Sequence, residues 1–509
     1  MRTKNTIKNI FTKWIGILLL TILQFVSRKI FIGYYSDELM GLAGLLNSVI
    51  SMLSLFELGI GTAIYYSLYK PLAEKNYEMT AAIMKMYKKI YFCIGSIVLI
   101  IGILLTNFLD LFISTELEKH IVVKAYYILL VDTVVSYFLS HRRNIFNADQ
   151  KEYICNNIDT VIGVGGTISQ IIVTILFKNY YLYLAIKIIW TISGNIFVYL
   201  FSNKKYSYIK ISGNNKLPKG YMNEFKGNVK ALCVGNISSY LVFGTDNLLI
   251  SKFAGLSSVF LYSNYNTIIS TVNKLFHNIF YSMQASVGNK MVTDDEESVY
   301  ELFEGTQLLN YFVTCFTTVA MFLMFNDFIE IWLGKEYTWP ISTVVVVVIN
   351  NYMRFIMQTT SVFRNAAGIY NPYPFYKFWG IVEGFLNLMA SFAFIIVLKD
   401  NIMAVFLGTT VSTVLFTLVS SITLFKYYFS MHKIKEYLKK YIIYFMLTII
   451  YMVLGKFIVQ NVRTNIVLFN FIMDAIVAIV ITNVFNILIF QKNKDFAFVK
   501  NKILALIRK

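Results

Sequence analysis

Along the chain, apolar runs of about twenty residues alternate with short polar or basic clusters from Phe11 to Phe490. A run of that length crosses a hydrocarbon core of roughly 30 Å as a helix. Fourteen helices are expected. The first six are Phe11 to Ile32, Met40 to Ser67, Ile90 to Ile113, Val122 to Ser140, Ile154 to Phe177 and Tyr181 to Phe201. The next six are Asn228 to Lys252, Val259 to Gly288, Gln307 to Ile331, Ile341 to Phe363, Phe378 to Leu398 and Met403 to Phe425. Two more follow, Ile442 to Val459 and Ile466 to Phe490, and then a basic tail, Gln491 to Lys509, that reads as an interfacial amphipathic segment. The first run is too long for a signal peptide and no small-residue cleavage site follows it, so it is expected to remain as an anchor.

The pattern repeats. Shifted by 220 residues, FLDLFI (Phe108 to Ile113) falls on FIEIWL (Phe328 to Leu333), Tyr91-Phe92 on Tyr311-Phe312, Leu55-Phe56 on Leu275-Phe276 and Lys70 on Lys290. A slip to 221 lays Arg143-Asn144 on Arg364-Asn365 and Lys205-Tyr206 on Lys426-Tyr427. The expected organisation is a six-helix bundle over 1–210, its repeat over 211–430, and an extension over 431–509. An even number of crossings per copy makes the repeats parallel. Gly213, Pro218 and Gly220 mark the joint.

Composition strengthens the membrane reading, with 57% hydrophobic residues, a mean hydropathy of +0.60 and five prolines in 509 residues. The net charge of +18 raises the question of nucleic acid. With both termini cytoplasmic, 33 of the 46 basic residues fall in inner segments, 10 on the opposite face, and three (Lys187, Lys274 and Arg354) well inside helices. That is the positive-inside distribution, with attraction to anionic lipid, and not a nucleic-acid patch. Cys93, Cys155, Cys233 and Cys315 lack CxxC spacing, and His120, His141, His277 and His432 share none, so neither a metal site nor a cofactor is indicated. No outer link exceeds about ten residues, which argues against a membrane glycan polymerase carrying catalytic acids on large outer loops.

FELGIGTAIYYSLYKPLAE (Phe56 to Glu74), ADQKEY (Ala148 to Tyr153), TDNLLISKFAGLSSVFLYSNY (Thr245 to Tyr265), FRNAAG (Phe363 to Gly368) and FLGTTVS (Phe406 to Ser412) resemble the Wzx-type polysaccharide repeat-unit flippases. These belong to the multidrug, oligosaccharidyl-lipid and polysaccharide exporter superfamily, and the likeness spans nearly the whole chain. None of the stretches is a catalytic signature, so no enzyme activity is implied. The resemblance implies an all-α polytopic fold of fourteen helices, two six-helix bundles facing a central cavity, and two extra C-terminal helices. It also implies a bacterial cell membrane location with cytoplasmic termini. The implied cargo is an oligosaccharide on undecaprenyl pyrophosphate, for O-antigen or capsule. Expected partners are that lipid, the surrounding membrane lipids, a coupling ion (H+ or Na+) and polysaccharide polymerase machinery.

Charges at bilayer depth are costly and rarely face lipid, so they outline the candidate site. Arg28 and Lys29 lie near the outer end of the first helix; Arg142, Arg143 and Arg364 lie near inner ends, where snorkelling to the interface is the plain alternative. Lys274 and Arg354 are deeper, with an internal ion pair as theirs. Fixed cations suit a pyrophosphate that must shed water to cross. The substrate set is Arg28, Lys274, Arg354 and Arg364, with Tyr262 and Asn264 for the sugar. Among Glu57, Asp132, Asp159, Asp246, Glu383 and Asp474, the acids in the most family-like stretches, Glu57 and Asp246, are the candidates for ion coupling. The repeat sets His277 opposite Glu57 and Lys274 opposite Ser54. Tyr240, Tyr265 and Tyr281 are candidate stacking platforms, and Asn236, Asn266 and Asn273 candidate hydrogen-bonding groups. A multidrug or toxin exporter of the same superfamily is the alternative reading in transport.

Overall fold

A computed structural model describes residues 2–57, 60–210, 244–368, 374–398 and 401–507, with scattered positions between 217 and 242. The described chain is helical, and eleven helices are long and apolar enough to cross a membrane. The three other expected crossings depart from that pattern for identifiable reasons. Met40 to Ser67 is interrupted: α2 (Asp37–Leu53) gives way to a 3-10 turn over Ser54–Glu57, and α3 (Ile60–Ala73) resumes beyond it. Much of Asn228 to Lys252 lies outside the described residues, and α9 is Thr245–Ala254. Val259 to Gly288 divides into α10 (Leu256–Ser282) and α11 (Gln284–Thr293), and α10 carries Asn264, Asn266, Asn273, Lys274, His277 and Asn278, too polar a set for a plain lipid-facing span.

The chain forms two compact units, Met1–Ser263 and Asn264–Lys509. In the first, α1 (Arg2–Ile32) packs on α7 (Glu152–Phe177), which packs on α8 (Tyr180–Lys205). The α8 helix also meets α5 (Lys119–Leu139), and α5 meets α2 and α4 (Tyr77–Leu105). Small residues allow the close approaches. A Cβ at Gly41 would overlap the Leu256 carbonyl oxygen, and one at Gly165 would overlap the Trp190 ring.

In the second unit α12 (Glu296–Trp332) is central, touching α13 (Ile341–Ile356), α17 (Ile434–Val462), α18 (Val467–Phe490) and the tail helix α19 (Lys494–Ile507). The tail is held where Phe498 meets the surface left open by Gly305 and where Lys440 bridges Glu304 and the buried Asp495. The remaining pair, α15 (Pro374–Val397) and α16 (Asn401–Tyr427), cross at Gly408, where a Cβ would overlap the Ser391 backbone nitrogen.

Both units contain the same local device. In the first, a 3-10 turn at Ser140–Arg142 separates α5 from the short α6 (Arg143–Ala148), and α3 packs on α6. In the second, Met357 separates α13 from the short α14 (Gln358–Ala366), and α11 packs on α14. Each short helix carries one of the repeated Arg-Asn pairs. Short 3-10 pieces inside long helices are places where a helix turns most readily.

Past α6 the motif ADQKEY makes a clasp. The Tyr206 hydroxyl donates to Asp149 Oδ2 at 2.7 Å, and the same carboxylate pairs with Lys151. Burial, reinforced by that carboxylate, pushes the Tyr206 phenol up from its ordinary value, so it remains a donor.

Candidate functional site

The first unit contains a cavity of about 460 Å³ walled by α1, α2, α5, α7, α8 and the first turns of α10. Its lining is polar for helices drawn from apolar runs: Gln24 and Arg28 come from α1, Asp159 and Gln170 from α7, Lys187 and Trp190 from α8. The volume falls in the range of small-molecule and cofactor sites, roughly 300–1,000 Å³.

Its charged groups are individually held. Arg28 donates to Ser263 Oγ at 3.0 Å and lies against Tyr183. Lys187 stands 3.1 Å from the buried Asp132. Asp159 accepts two hydrogen bonds from Arg143 Nη1, at 2.7 and 2.8 Å, while Arg143 Nε donates to Asn195 Oδ1 at 3.2 Å. The uncharged wall is fixed as well: Trp190 Nε1 donates to Ser169 Oγ at 3.1 Å, and Gln170 Nε2 donates to the Tyr183 carbonyl at 3.1 Å. Such a surface offers guanidinium, ammonium and amide N–H donors, the groups that replace water around phosphate or sugar oxygens.

A second polar group lies in the other unit. Arg354 Nε donates to Asn350 Oδ1 at 3.0 Å. The buried Arg364 donates to Ser420 Oγ and has its guanidinium 5.9 Å from the Phe416 ring centroid. Both arginines act electrostatically on the largely buried Glu383. Arg354, Arg364 and Glu383 thus form one constellation, on α13, α14 and α15.

Of the remaining sequence candidates, Lys274 is exposed on α10, and Tyr262, Asn264 and Asp246 are buried. Glu57 accepts a hydrogen bond from Tyr91 at the break between α2 and α3, close to Tyr137 and Asn144. Lys29 is exposed, and Arg142 sits over the Tyr199 ring, 5.4 Å from its centroid. Tyr265, expected as a sugar platform, is enclosed instead. Its ring stacks on Trp339 at 3.8 Å, and its hydroxyl donates to Asn326 and accepts from the Trp339 backbone. Tyr240 donates to the Ser48 carbonyl, and Asn273 to Asn351. Asn266 and Tyr281 are exposed, the latter stacked on His277. Asn236 lies outside the described residues. Gln24, Gln170, Tyr183 and Trp190 were not foreseen; a polar or amphipathic group inside an apolar run was the one available signal.

No family model matches the chain, and no curated protein matches it in sequence. Solved structures do match it in three dimensions. The lipid II flippase MurJ, in an inward closed conformation, aligns over 94% of this chain and 98% of its own with a TM-score of 0.65 at 15% identity. A point mutant of the MATE transporter VcmN of Vibrio cholerae aligns over 84% and 96% with a TM-score of 0.58 at 12% identity. An inward-facing multidrug resistance MATE family transporter of the MOP superfamily aligns over 81% and 96%, with 0.58 and 11%. The chain has the fold of these transporters. At such identities the likeness extends to the path of the backbone, and the chemistry has to come from this chain's own side chains.

Proposed function

We propose that this protein is a flippase that moves undecaprenyl-pyrophosphate-linked oligosaccharide repeat units from the inner to the outer leaflet of a bacterial cell membrane by alternating access. The observation that carries this reading is the polar cavity holding Arg28, Lys187 and Asp159 among membrane-spanning helices. A lipid carrier keeps its chain in the bilayer while its headgroup needs a wet, hydrogen-bonding route, and fixed cations lower the cost of desolvating the pyrophosphate.

Arg28 serves the headgroup at the cavity, and Tyr262 and Asn264 of α10 serve the sugar. Arg354 and Arg364 serve the same cargo in the second unit, with Lys274 as an exposed first contact. Glu57 and Asp246 carry the coupling ion, H+ or Na+. The doubled plan, a copy over 1–210, a copy over 211–430 and an extension over 431–509, with both termini cytoplasmic, belongs to this reading. The matching breaks before α6 and α14, each followed by an Arg-Asn pair, support it.

The test is deletion and repair. Cells lacking the chain should accumulate lipid-linked repeat units on the inner leaflet, and the wild-type chain should clear them. Drug sensitivity without such accumulation would identify an exporter, and outward-facing unpolymerised units would identify a polymerase.

A further inference from the structure

Two aromatic side chains border the cavity of the first unit, Tyr183 and Trp190, both on α8. The Tyr183 ring is already engaged, with the Phe31, Tyr35 and Tyr180 rings around it at centroid distances of 5.0, 6.5 and 6.5 Å. Trp190 is backed differently. A Cβ at Gly165 of α7 would overlap three atoms of its six-membered ring, and one at Gly166 would touch its five-membered ring. The glycine pair thus lets the indole lie close against the α7 backbone, and the indole N–H donates to Ser169 Oγ one turn further along that helix. A half-buried ring held at both places offers the cavity a flat apolar surface that has little rotamer freedom left to lose when a ligand settles on it.

Given the lipid-linked cargo proposed above, on which this assignment rests, we propose that Trp190 is the stacking platform for the sugar ring that adjoins the pyrophosphate, so that the cavity selects its cargo by the first sugar as well as by charge. An indole face carries negative charge and the C–H hydrogens on one face of a pyranose are slightly positive, so the two stack and remove apolar area of both from water. The hydroxyls on the rim of the sugar then need hydrogen-bonding groups. Gln24, Asn47, Gln170 and Thr191 line the same cavity. Asn47 and Gln170 each donate from the amide nitrogen to a backbone carbonyl, which among the described residues leaves the amide oxygen of each to accept from a hydroxyl. Lys187 stands one turn before Trp190 on α8, so an ammonium and an aromatic surface share one helix face, in the order in which a phosphate and its attached sugar present themselves.

The experiment compares two probes on the full-length protein in lipid nanodiscs, undecaprenyl pyrophosphate and the same lipid carrying a single hexose or N-acetylhexosamine, with binding read by native mass spectrometry and a melting temperature recorded for every variant. The wild type should hold the sugar-bearing lipid about five- to tenfold more tightly than the bare one, the size of an aromatic stack. Trp190→Ala should abolish that margin and Trp190→Phe should keep part of it. Ser169→Ala, which frees the indole N–H but keeps the ring, should reduce the margin at a nearly unchanged melting temperature. Arg28→Ala should instead weaken both probes. A margin that survives Trp190→Ala or, if that variant does not fold, Ser169→Ala would overturn the platform and leave the flippase reading in place, as would a wild type that binds both lipids equally. A wild type that binds neither lipid would remove both.

Discussion

Arg143 meets Asp159 through two N–H···O contacts, 2.7 and 2.8 Å from a single guanidinium nitrogen, and so ties the short α6 to the cavity wall on α7. Because Asp159 is about half exposed, the direct contribution of the pair to stability is about 1 kcal/mol or less. Its larger role is to keep an acidic wall residue compensated. Arg143→Ala should lower the melting temperature of the purified protein slightly and reduce inner-leaflet clearance severalfold. Asp159→Asn should do less, because Arg143 retains its bond to Asn195. Equal effects from both variants in clearance assays would show that charge compensation is not what matters.

Arg28 contributes the α1 cation of the cavity. Arg28→Ala should cut clearance of lipid-linked units by about tenfold or more while the protein reaches the membrane at its normal level, and Arg28→Lys should restore part of it, since an ammonium keeps the charge but not the fork of donors. Unimpaired clearance by Arg28→Ala, with membrane level confirmed by blotting, would remove Arg28 from the site.

Glu57 lies where α2 breaks, holding the Tyr91 hydroxyl. Glu57→Gln preserves an acceptor for that phenol and removes the titratable group. Transport in vesicles by this variant should lose its dependence on an imposed proton or sodium gradient, with the melting temperature nearly unchanged. If the gradient dependence survives, Glu57 is a structural partner of Tyr91 and coupling lies elsewhere, with Asp246 next in line.

Gly41 and Gly408 sit at backbone crossings with no room for a methyl group. Backbone cannot move aside as a side-chain tip can, so Gly41→Ala and Gly408→Ala should each destabilise by about 1–3 kcal/mol. Thermal melts of the purified variants check this. Gly227→Ala, which would meet nothing within 4 Å, is the control that should melt like the wild type.

The spans were legible because lipid imposes long apolar runs, and eleven of the expected helices meet that description in the structure. The breaks at Ser54–Glu57, Ser140–Arg142 and Met357 were not, since hydropathy registers apolarity and not the direction of the axis. Lys187 was visible as a charge inside a helix, but its partner Asp132 sits 55 positions away on another helix, beyond any periodic signal. Nothing in the sequence sets Tyr265 apart from the other tyrosines, because the Trp339 ring that covers it comes from a distant part of the chain. Conversely, the repeated Arg-Asn pairs were legible from the 221-residue offset alone, and both begin or sit within short helices after a break.

The clasp of Tyr206 on Asp149 has a mechanical meaning. Tyr206 follows the last turn of α8 and Asp149 the last turn of α6, so one phenol–carboxylate bond couples the ends of two helices that meet the same side of the first unit, and a shift of either end has to carry the other with it or break that bond.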